Sequence, residues 1–126
     1  MEGKGRITGH TGLLALIGSP VGHSGSPAMY NYSFEKLGLD YAYVAFDIKV
    51  EEVKAALDAM RLFHMRGCNV TMPCKTEATK YMDELSPAAR IIGAVNTIVN
   101  EDGKLIGHMT DGEGFVGNLR DHGIEI

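Results

Sequence analysis

A lysine directly follows an unusual polar segment in the run GCNVTMPCK, which ends at Lys75. Asn69 and Thr71 alternate with Val70, so the pattern predicts that both polar side chains point to one side of a strand. Pro73 should end that strand and leave Lys75 near its carboxyl end, at the start of a helix. The positive end of a helix dipole is a poor place for a merely structural cation, whereas it suits a group that gives and takes a proton. A solvated surface lysine is the alternative interpretation.

Two serines lie where a predicted strand passes into a helix, in the run GHSGSP. Ser24 and Ser26 are two residues apart, next to the free backbone N–H groups of the predicted helix N-terminus. Those groups and the helix dipole favour an anion, and the two hydroxyls add neutral donors. The alternative is structural: Ser26 would be only the N-cap of the helix, and Ser24 only a loop residue.

Asn96 and Asp111 occupy two further positions of interest, in the runs GAVNTI and HMTDG. Asn96 is predicted inside an otherwise apolar strand, so its amide needs a partner, either from the backbone or from a ligand. Asp111 falls at the end of the next strand, where it is either a turn or N-cap residue or a carboxylate that positions the ammonium of Lys75. Serine hydroxyls for a carboxylate, with amides and a Lys–Asp pair for ring oxygens, would together suit a small polyhydroxylated acid.

Other residues that often carry chemistry give no such pattern. The histidines have no metal-ligand spacing, and no Cys–His or Ser–His pair predicts a nucleophile. Cys68 and Cys74 are expected to be a buried strand residue and a loop residue, so no metal site is predicted. The run GEGFVG, residues 112–117, matches a dinucleotide fingerprint literally, but it lacks the following strand and the acidic residue about 20 positions later. We therefore assign no cofactor-binding residues.

Strand-like and helix-like segments alternate along the chain. We predict strands over residues 12–19, 40–48 and 65–71, helices over 26–38 and 50–63, short helices around 76–82 and 87–92, a hairpin with its turn at 100–103, and a last helix over 112–124. This order predicts an α/β fold of three layers: a mainly parallel sheet with a C-terminal β-hairpin and flanking helices. Ligands of such sheets bind beyond the carboxyl ends of the strands, where the polar residues described above fall.

The length and charge of the chain limit its function classes. Its 126 residues suffice for one compact domain with a core but not for two. It has 12 basic and 16 acidic residues and a formal charge of −4, which argues against nucleic acid as a partner. No apolar run approaches the roughly 20 residues of a membrane span. We expect a flexible leader over residues 1–11 that is not a signal peptide, a domain over 12–126, and a cytoplasmic protein without a membrane partner.

Four motifs occur together in a fixed order: GSPVGHSGSPAMYN, GCNVTMPCK, GAVNTI and HMTDG. In this order and at these separations they resemble the N-terminal substrate-binding domain of shikimate dehydrogenases, and the resemblance covers almost the whole chain beyond residue 11. The runs YVAFDI, MRGCNV and ELSPAARIIGAVNTIVNEDG look most like the quinate/shikimate dehydrogenase branch. Met109, Tyr30 and Cys74 depart from the residues usual in the family at these positions, which leaves fine specificity open.

The resemblance implies a role for each candidate residue. The substrate carboxylate would be held by Ser24 and Ser26, and the ring hydroxyls by Asn69, Thr71, Asn96 and Asp111. Lys75, paired with Asp111, would be the catalytic acid–base in the reduction of 3-dehydroshikimate to shikimate, a step of aromatic amino-acid biosynthesis. The NADP or NAD cofactor would be bound mainly by a C-terminal dinucleotide-binding domain that is absent from this chain, so this fragment alone would be inactive. Quinate is a further implied ligand.

Two other interpretations remain open on the sequence alone. The chain could be a non-catalytic sensor of the same fold that binds shikimate or quinate without turning them over. It could also be a scaffold or dimerisation module whose polar strand ends are structural. Lys75 and Asp111 favour the enzyme, because a sensor need not keep an acid–base pair. A homodimer would follow if the apolar first strand is exposed and pairs with a second copy.

Overall fold

The computed structural model describes residues 5–110, and the predicted alternation of strands and helices is confirmed there. The strands are β1 (Gly12–Gly18), β2 (Tyr41–Asp47), β3 (Gly67–Val70), β4 (Glu84–Leu85), β5 (Thr97–Glu101) and β6 (Lys104–His108). The helices are α1 (Ser26–Leu37), α2 (Val53–Leu62) and α3 (Pro87–Ile92), with short 3-10 helices over Val50–Glu52 and Glu77–Tyr81. The helix predicted over 112–124 lies outside the described residues.

The described strands form one mixed sheet in the order β2-β1-β3-β5-β6-β4. β1 pairs in parallel with both β2 and β3, whereas β5 runs antiparallel to β3 and to β6, and β4 pairs in parallel with β6. The predicted α/β class, with a parallel part and a hairpin, is confirmed. The exposed first strand on which the homodimer was made conditional is not found, because β1 has a hydrogen-bonded neighbour on each side. The homodimer itself stays a prediction.

The apolar residues of β1 alternate between two buried clusters, one on each face of the sheet. Leu14 and Leu16 pack with Phe34 of α1, whereas Ile17 packs with Leu57 of α2 on the other face. A strand that is buried on both faces reads as a continuous apolar run, which is why this segment was recognisable as a strand. The sheet therefore forms the middle of three layers. No helix within residues 5–110 is long and apolar enough to cross a membrane.

Side chains from elsewhere in the chain cover part of the outer edge of β2. Asn31 of α1 accepts from the N–H of Tyr43 through Oδ1 and donates from Nδ2 to the C=O of Tyr43, both at 2.8 Å. Arg6 donates from Nη1 to the C=O of Tyr41 at 2.6 Å. Helix α1 is thus joined to β2 by hydrogen bonds from a side chain to the main chain as well as by apolar contacts.

The predicted hairpin of β5 and β6 is confirmed, with its turn at Asp102 and Gly103. Both residues have positive φ, 54° and 93°, as a type I′ turn requires. Asn100 accepts from the N–H of Gly103 through Oδ1, and Arg61 of α2 donates from Nε to the C=O of Gly103, both at 2.8 Å. The turn is therefore held from both sides.

Two local predictions are wrong in detail, and a third is confirmed with a shorter element. Gly25, not Ser26, is the N-cap of α1, and Ser26 is already helical, because the hydroxyl that accepts from the N–H of Ser26 belongs to Ser24. The short helix predicted after Lys75 is present as a five-residue 3-10 helix, so a long helix dipole does not act on that lysine. Asn96 precedes β5 by one residue instead of lying inside a strand.

Gly18→Ala is expected to lower the free energy of unfolding by about 2 to 4 kcal/mol. Gly18 has a φ of 153°, and a Cβ added there would lie 2.3 Å from Cγ2 of Thr71 and 2.9 Å from the C=O of Met72. An alanine would therefore strain the backbone and displace the segment that leads to Lys75. Chemical denaturation measures the change.

Gly22→Ala is the matched control, because a Cβ at Gly22 would meet no atom within 4 Å. We expect it to change the free energy of unfolding by less than about 0.5 kcal/mol. Equal stability of the two variants would contradict the close approach of Gly18 to Thr71.

Candidate functional site

Strand direction brings the candidate residues of the first half of the chain together. β1 and β3 are parallel neighbours, so they end at the same edge of the sheet. Ser24 and Ser26 follow β1, and Thr71 and Lys75 follow β3. The expectation that these residues lie beyond the carboxyl ends of strands is met at this edge, which we call the substrate edge because small ligands of open α/β sheets bind at such positions.

The candidate residues of the second half reach the substrate edge because β5 reverses direction. Asn69 of β3 lies opposite Thr97, the first residue of β5, so β5 begins where β3 ends. Thr97 in turn lies opposite His108 of β6, so the chain returns to the same edge at Thr110. Asn96, just before β5, lies between these two segments.

The serine loop joins β1 to α1 at the substrate edge. The hydroxyl of Ser24 accepts from the N–H of Ser26 at 3.1 Å, and the N–H of Ser24 donates to the C=O of Val21 at 3.1 Å. Both serines are half-buried, and Ser26 begins the twelve-residue helix α1. The two serines therefore lie at the amino end of a helix, a position that favours a bound anion.

Lys75 is half-buried, and its main chain is anchored beside the start of β5. The N–H of Val95 donates to the C=O of Lys75 at 3.0 Å, so the lysine lies next to Asn96. Among residues 5–110 its ammonium has no hydrogen-bond or ion-pair partner, whereas Lys80 on the following 3-10 helix pairs with Glu77 at 2.9 Å. The ammonium of Lys75 is thus free to contact a ligand oxygen.

Asp111 was predicted as the partner of Lys75, and it lies outside the described residues. What the structure does describe is the anchor of the residue before it. Asn96 donates from Nδ2 to the C=O of Thr110 and accepts from the N–H of Thr110 through Oδ1 at 2.9 Å. The amide of Asn96 therefore has a backbone partner, one of the two alternatives that the sequence left open. The Lys75–Asp111 pair stays a prediction.

Tyr43 lies within β2 and reaches Asn69 at the substrate edge with its hydroxyl, although the sequence assigned it no role. Its hydroxyl donates to Oδ1 of Asn69 at 2.8 Å, its ring stacks on Tyr30 with centroids 4.6 Å apart, and its side chain is fully buried. The Ser26 hydroxyl also forms a hydrogen bond with the phenol. A tyrosine in a strand with buried neighbours is the available signal, because a buried phenol needs a polar partner.

Burial raises the pKa of the Tyr43 phenol above its ordinary value. The nearby Tyr30 and Cys68 raise the pKa further, whereas the hydrogen bond with Ser26 lowers it without cancelling the effect of burial. The phenol of Tyr43 is therefore protonated at neutral pH and acts as a hydrogen-bond donor to Asn69.

The cysteines are structural, as the sequence predicted. Cys68 lies in β3 and Cys74 in the following turn, and both are buried and free. Burial raises the pKa of the Cys68 thiol to about 12, so the thiol is uncharged at neutral pH and is a poor nucleophile. Residues 5–110 contain no group of three or more His, Cys, Asp or Glu side chains that could hold a metal ion.

A separate cavity of about 430 Å³ lies between α2 and the strands β1 and β2. Its lining is mostly apolar and includes Phe46, Met60 and Phe63. None of the candidate ligands lines it, so the polar chemistry of the described residues is concentrated at the substrate edge instead.

Comparison with protein families identifies the family to which this arrangement of residues belongs. The family described as the shikimate dehydrogenase substrate binding domain matches residues 16–98, which include the end of β1, the serine loop, Lys75 and the start of β5. This chain belongs to that family. The resemblance drawn from the four sequence motifs is thereby confirmed.

Curated relatives of this substrate-binding domain carry the name shikimate dehydrogenase (NADP(+)). The protein from Listeria monocytogenes serotype 4b (strain F2365) is 53% identical over 121 residues, which are 96% of this chain and 42% of the relative. The protein from Streptococcus uberis is 52% identical over 123 residues, with 96% and 42% covered. The substrate-binding domain thus spans about two fifths of the length of these relatives.

A solved structure gives the same assignment for the fold. The shikimate 5-dehydrogenase of Listeria monocytogenes, solved in complex with shikimate and NAD, matches with a TM-score of 0.83 and 52% identity. The match covers 97% of this chain and 42% of that chain. The substrate-binding domain therefore has the same fold as the matching part of a dehydrogenase that was solved with shikimate.

Proposed function

We propose that this chain is the substrate-binding and proton-transferring part of an NADP-dependent shikimate dehydrogenase, which interconverts 3-dehydroshikimate and shikimate. One observation carries the proposal beyond family membership. Lys75 is half-buried, and its ammonium has no partner among the described residues, although the residue lies at an edge that also holds two oriented amides and an anion-favouring loop. Such an ammonium is suited to a ligand oxygen rather than to the stability of the fold.

The serine loop would bind the substrate carboxylate. The Ser24 and Ser26 hydroxyls are donors without formal charge, and the dipole of the twelve-residue helix α1 supplies the favourable potential. An uncharged anion site has one advantage at this edge: it leaves Lys75 as the cation that faces the reacting oxygen.

The amides and Thr71 would bind the ring hydroxyls. Asn69 and Asn96 are held by hydrogen bonds at the start of β5, and the Thr71 hydroxyl has no hydrogen-bond partner among residues 5–110. Asp111 would join them as a hydroxyl ligand and as the carboxylate that positions Lys75. A ring whose oxygens are fixed on several sides presents its carbonyl to the lysine in a single orientation.

Lys75 would donate the proton that completes the reduction. As the C=O of 3-dehydroshikimate becomes an alcohol, its oxygen gains negative charge, and Nζ of Lys75 gives that oxygen a proton. In the direction of oxidation, neutral Lys75 takes the proton of the alcohol. The nicotinamide cofactor supplies the hydride when it is bound, and we assign it mainly to the region of the relatives that lies beyond this chain. The described residues offer no dinucleotide fingerprint to hold it.

The finer choice of substrate also belongs to the proposal. Quinate and shikimate both carry a carboxylate on a six-membered ring and differ in their ring substituents. The sequence runs that look like the quinate/shikimate branch support quinate as a second substrate. Tyr30 lies next to the serine loop through its stacking on Tyr43, so this departure from the family pattern is placed to affect the choice.

Calorimetric titration of the chain with shikimate tests the proposal. We expect saturable binding of shikimate, weaker or equal binding of quinate, and no binding of a cyclohexene triol that lacks the carboxylate. The same titration on a hybrid enzyme, in which this chain replaces the matching region of the Listeria monocytogenes relative, is the companion measurement. A folded chain and a folded hybrid that both fail to bind shikimate would reject the proposed function.

A further inference from the structure

The buried polar groups of the substrate edge form one head-to-tail chain of hydrogen bonds. The Tyr43 hydroxyl donates to Oδ1 of Asn69 at 2.8 Å, and Nδ2 of Asn69 donates to Oγ1 of Thr97 at 3.4 Å. The Thr97 hydroxyl donates to Oδ1 of Asn96 at 3.2 Å, and Nδ2 of Asn96 donates to the C=O of Thr110. These four bonds donate in one direction, from β2 towards the end of β6. The Thr97 hydroxyl also lies 3.2 Å from the Thr110 hydroxyl, and either of these two groups can be the donor.

Groups that cannot reverse their roles fix this direction at the end near β6. The C=O of Thr110 can only accept and its N–H can only donate, so the two bonds to Asn96 leave its amide a single orientation. Nδ2 of Asn69 also faces the C=O of Asn96 at 3.5 Å. Because a carbonyl cannot donate, the Asn69 amide keeps its NH₂ on that side and its oxygen towards Tyr43.

The start of the chain is fixed by the protonated phenol of Tyr43. Burial raises the pKa of this phenol, so it keeps its proton at neutral pH and donates it to Asn69. At 2.8 Å this is the shortest contact of the Asn69 amide. Removal of the phenol oxygen would leave a partly buried amide oxygen without its partner.

We infer that Tyr43 and Thr97 are positioning residues of the substrate edge, which hold the amides of Asn69 and Asn96 with their NH₂ groups available to ligand oxygens. This inference rests on the proposed function. The Tyr43 and Thr97 side chains are 0% and 1% exposed, so they act through the amides rather than by touching the ligand.

The orientation of the two amides determines what kind of ligand group they recognise. Asn96 uses one of its two N–H donors on Thr110. The two contacts of Nδ2 of Asn69, at 3.4 and 3.5 Å, are long for N–H···O bonds, so this group remains able to donate to a closer acceptor. Both amides therefore select for ligand oxygens that accept. A ring bearing an ammonium in place of either hydroxyl would face N–H groups and be rejected.

Tyr43→Phe and Thr97→Val test the inference in the full 126-residue chain, with calorimetric titration of shikimate as the measurement. Both substitutions remove a hydroxyl and keep the size of the side chain. We expect each to weaken shikimate binding about fivefold to twentyfold. In an Asn69→Ala/Ser26→Ala background, Tyr43→Phe should add less than about a twofold effect, because the phenol of Tyr43 contacts both of these residues and residues that act through shared partners are not additive.

Tyr32→Phe is the matched control, because Tyr32 of α1 is 63% exposed. It should leave the affinity for shikimate unchanged. Unchanged affinity in Tyr43→Phe would overturn the inference. So would full additivity with Asn69→Ala/Ser26→Ala, since Tyr43 would then contact the ligand itself.

A measurement without ligand separates this inference from the proposed function. In the NMR spectrum of the ligand-free chain, Tyr43→Phe should shift the side-chain NH₂ resonances of Asn69, and Thr97→Val those of Asn96. A wild-type chain that binds no shikimate would count against the proposed function. Unchanged NH₂ resonances in both variants would overturn the positioning role by themselves, whether or not shikimate binds.

Discussion

Lys75→Ala is expected to lower kcat for 3-dehydroshikimate reduction about a thousandfold in the hybrid enzyme, as loss of a general acid does. The alkoxide that forms during reduction would have no proton donor, because the other proposed ligands of this edge are amides and hydroxyls, which are very weak acids, and the Asp111 carboxylate, which has no proton to give. Affinity for shikimate should fall only a few-fold, since the serine loop and the amides remain. The consumption of NADPH measures kcat, and calorimetry measures the affinity.

Lys80→Ala is the control for this substitution. Lys80 is an exposed lysine on the neighbouring 3-10 helix, and its pair with Glu77 is at the surface, where such pairs contribute little to stability. The kcat of the Lys80→Ala variant should match that of the parent hybrid. If Lys75→Ala retained a kcat within tenfold of the parent, Lys75 would not be the proton donor, and the proposed mechanism would be abandoned.

The double substitution Ser24→Ala/Ser26→Ala is expected to weaken shikimate binding by at least roughly a hundredfold. A hydrogen bond to a charged group contributes about 1.5 to 3 kcal/mol, and two such bonds to the carboxylate would be lost. The effect should be specific to the charge: the parent chain should bind shikimate much more tightly than its methyl ester, and the double variant should lose most of that preference. Calorimetry with both ligands measures the two affinities.

Two controls accompany the serine substitutions. Ser33→Ala replaces another half-buried serine of α1, away from its N-terminus, and should leave both affinities unchanged. Thermal unfolding checks the fold, because Ser24 accepts from the N–H of Ser26 and loss of such a bond costs about 1 kcal/mol. A well-folded double variant that still preferred shikimate over the ester would place the carboxylate elsewhere.

Features that depend on near neighbours in the chain were predictable from the sequence. The Asp102–Gly103 turn is one example, because positive φ at both positions demands these residue types and a hairpin follows from them. The apolar run of β1 is another, since burial on both faces needs no knowledge of the partners. Strand order then places Ser24, Thr71 and Lys75 at one edge without any side-chain detail.

Features that depend on contacts across the sheet were not predictable. Tyr43 and Asn69 are 26 residues apart and lie on strands separated by β1, so no spacing in the sequence signals their hydrogen bond. The two-residue strand β4 carries too short a pattern to detect. The N-cap of α1 was also predicted at the wrong residue. Serine is a common N-cap, but here the hydroxyl that accepts from the N–H of Ser26 belongs to Ser24, so the helix already includes Ser26.

Asn31 has a consequence for the behaviour of the protein in concentrated solution. The unpaired N–H and C=O groups of an edge strand can pair with a strand of another molecule, and this pairing is a common start of aggregation. At the middle of β2 the main-chain groups of Tyr43 are not available to such a strand, because the side chain of Asn31 already forms hydrogen bonds with both of them. An incoming chain would have to displace two good hydrogen bonds before it formed any. The same contact that fastens α1 to the sheet thus protects the molecule against growth into fibres at this border.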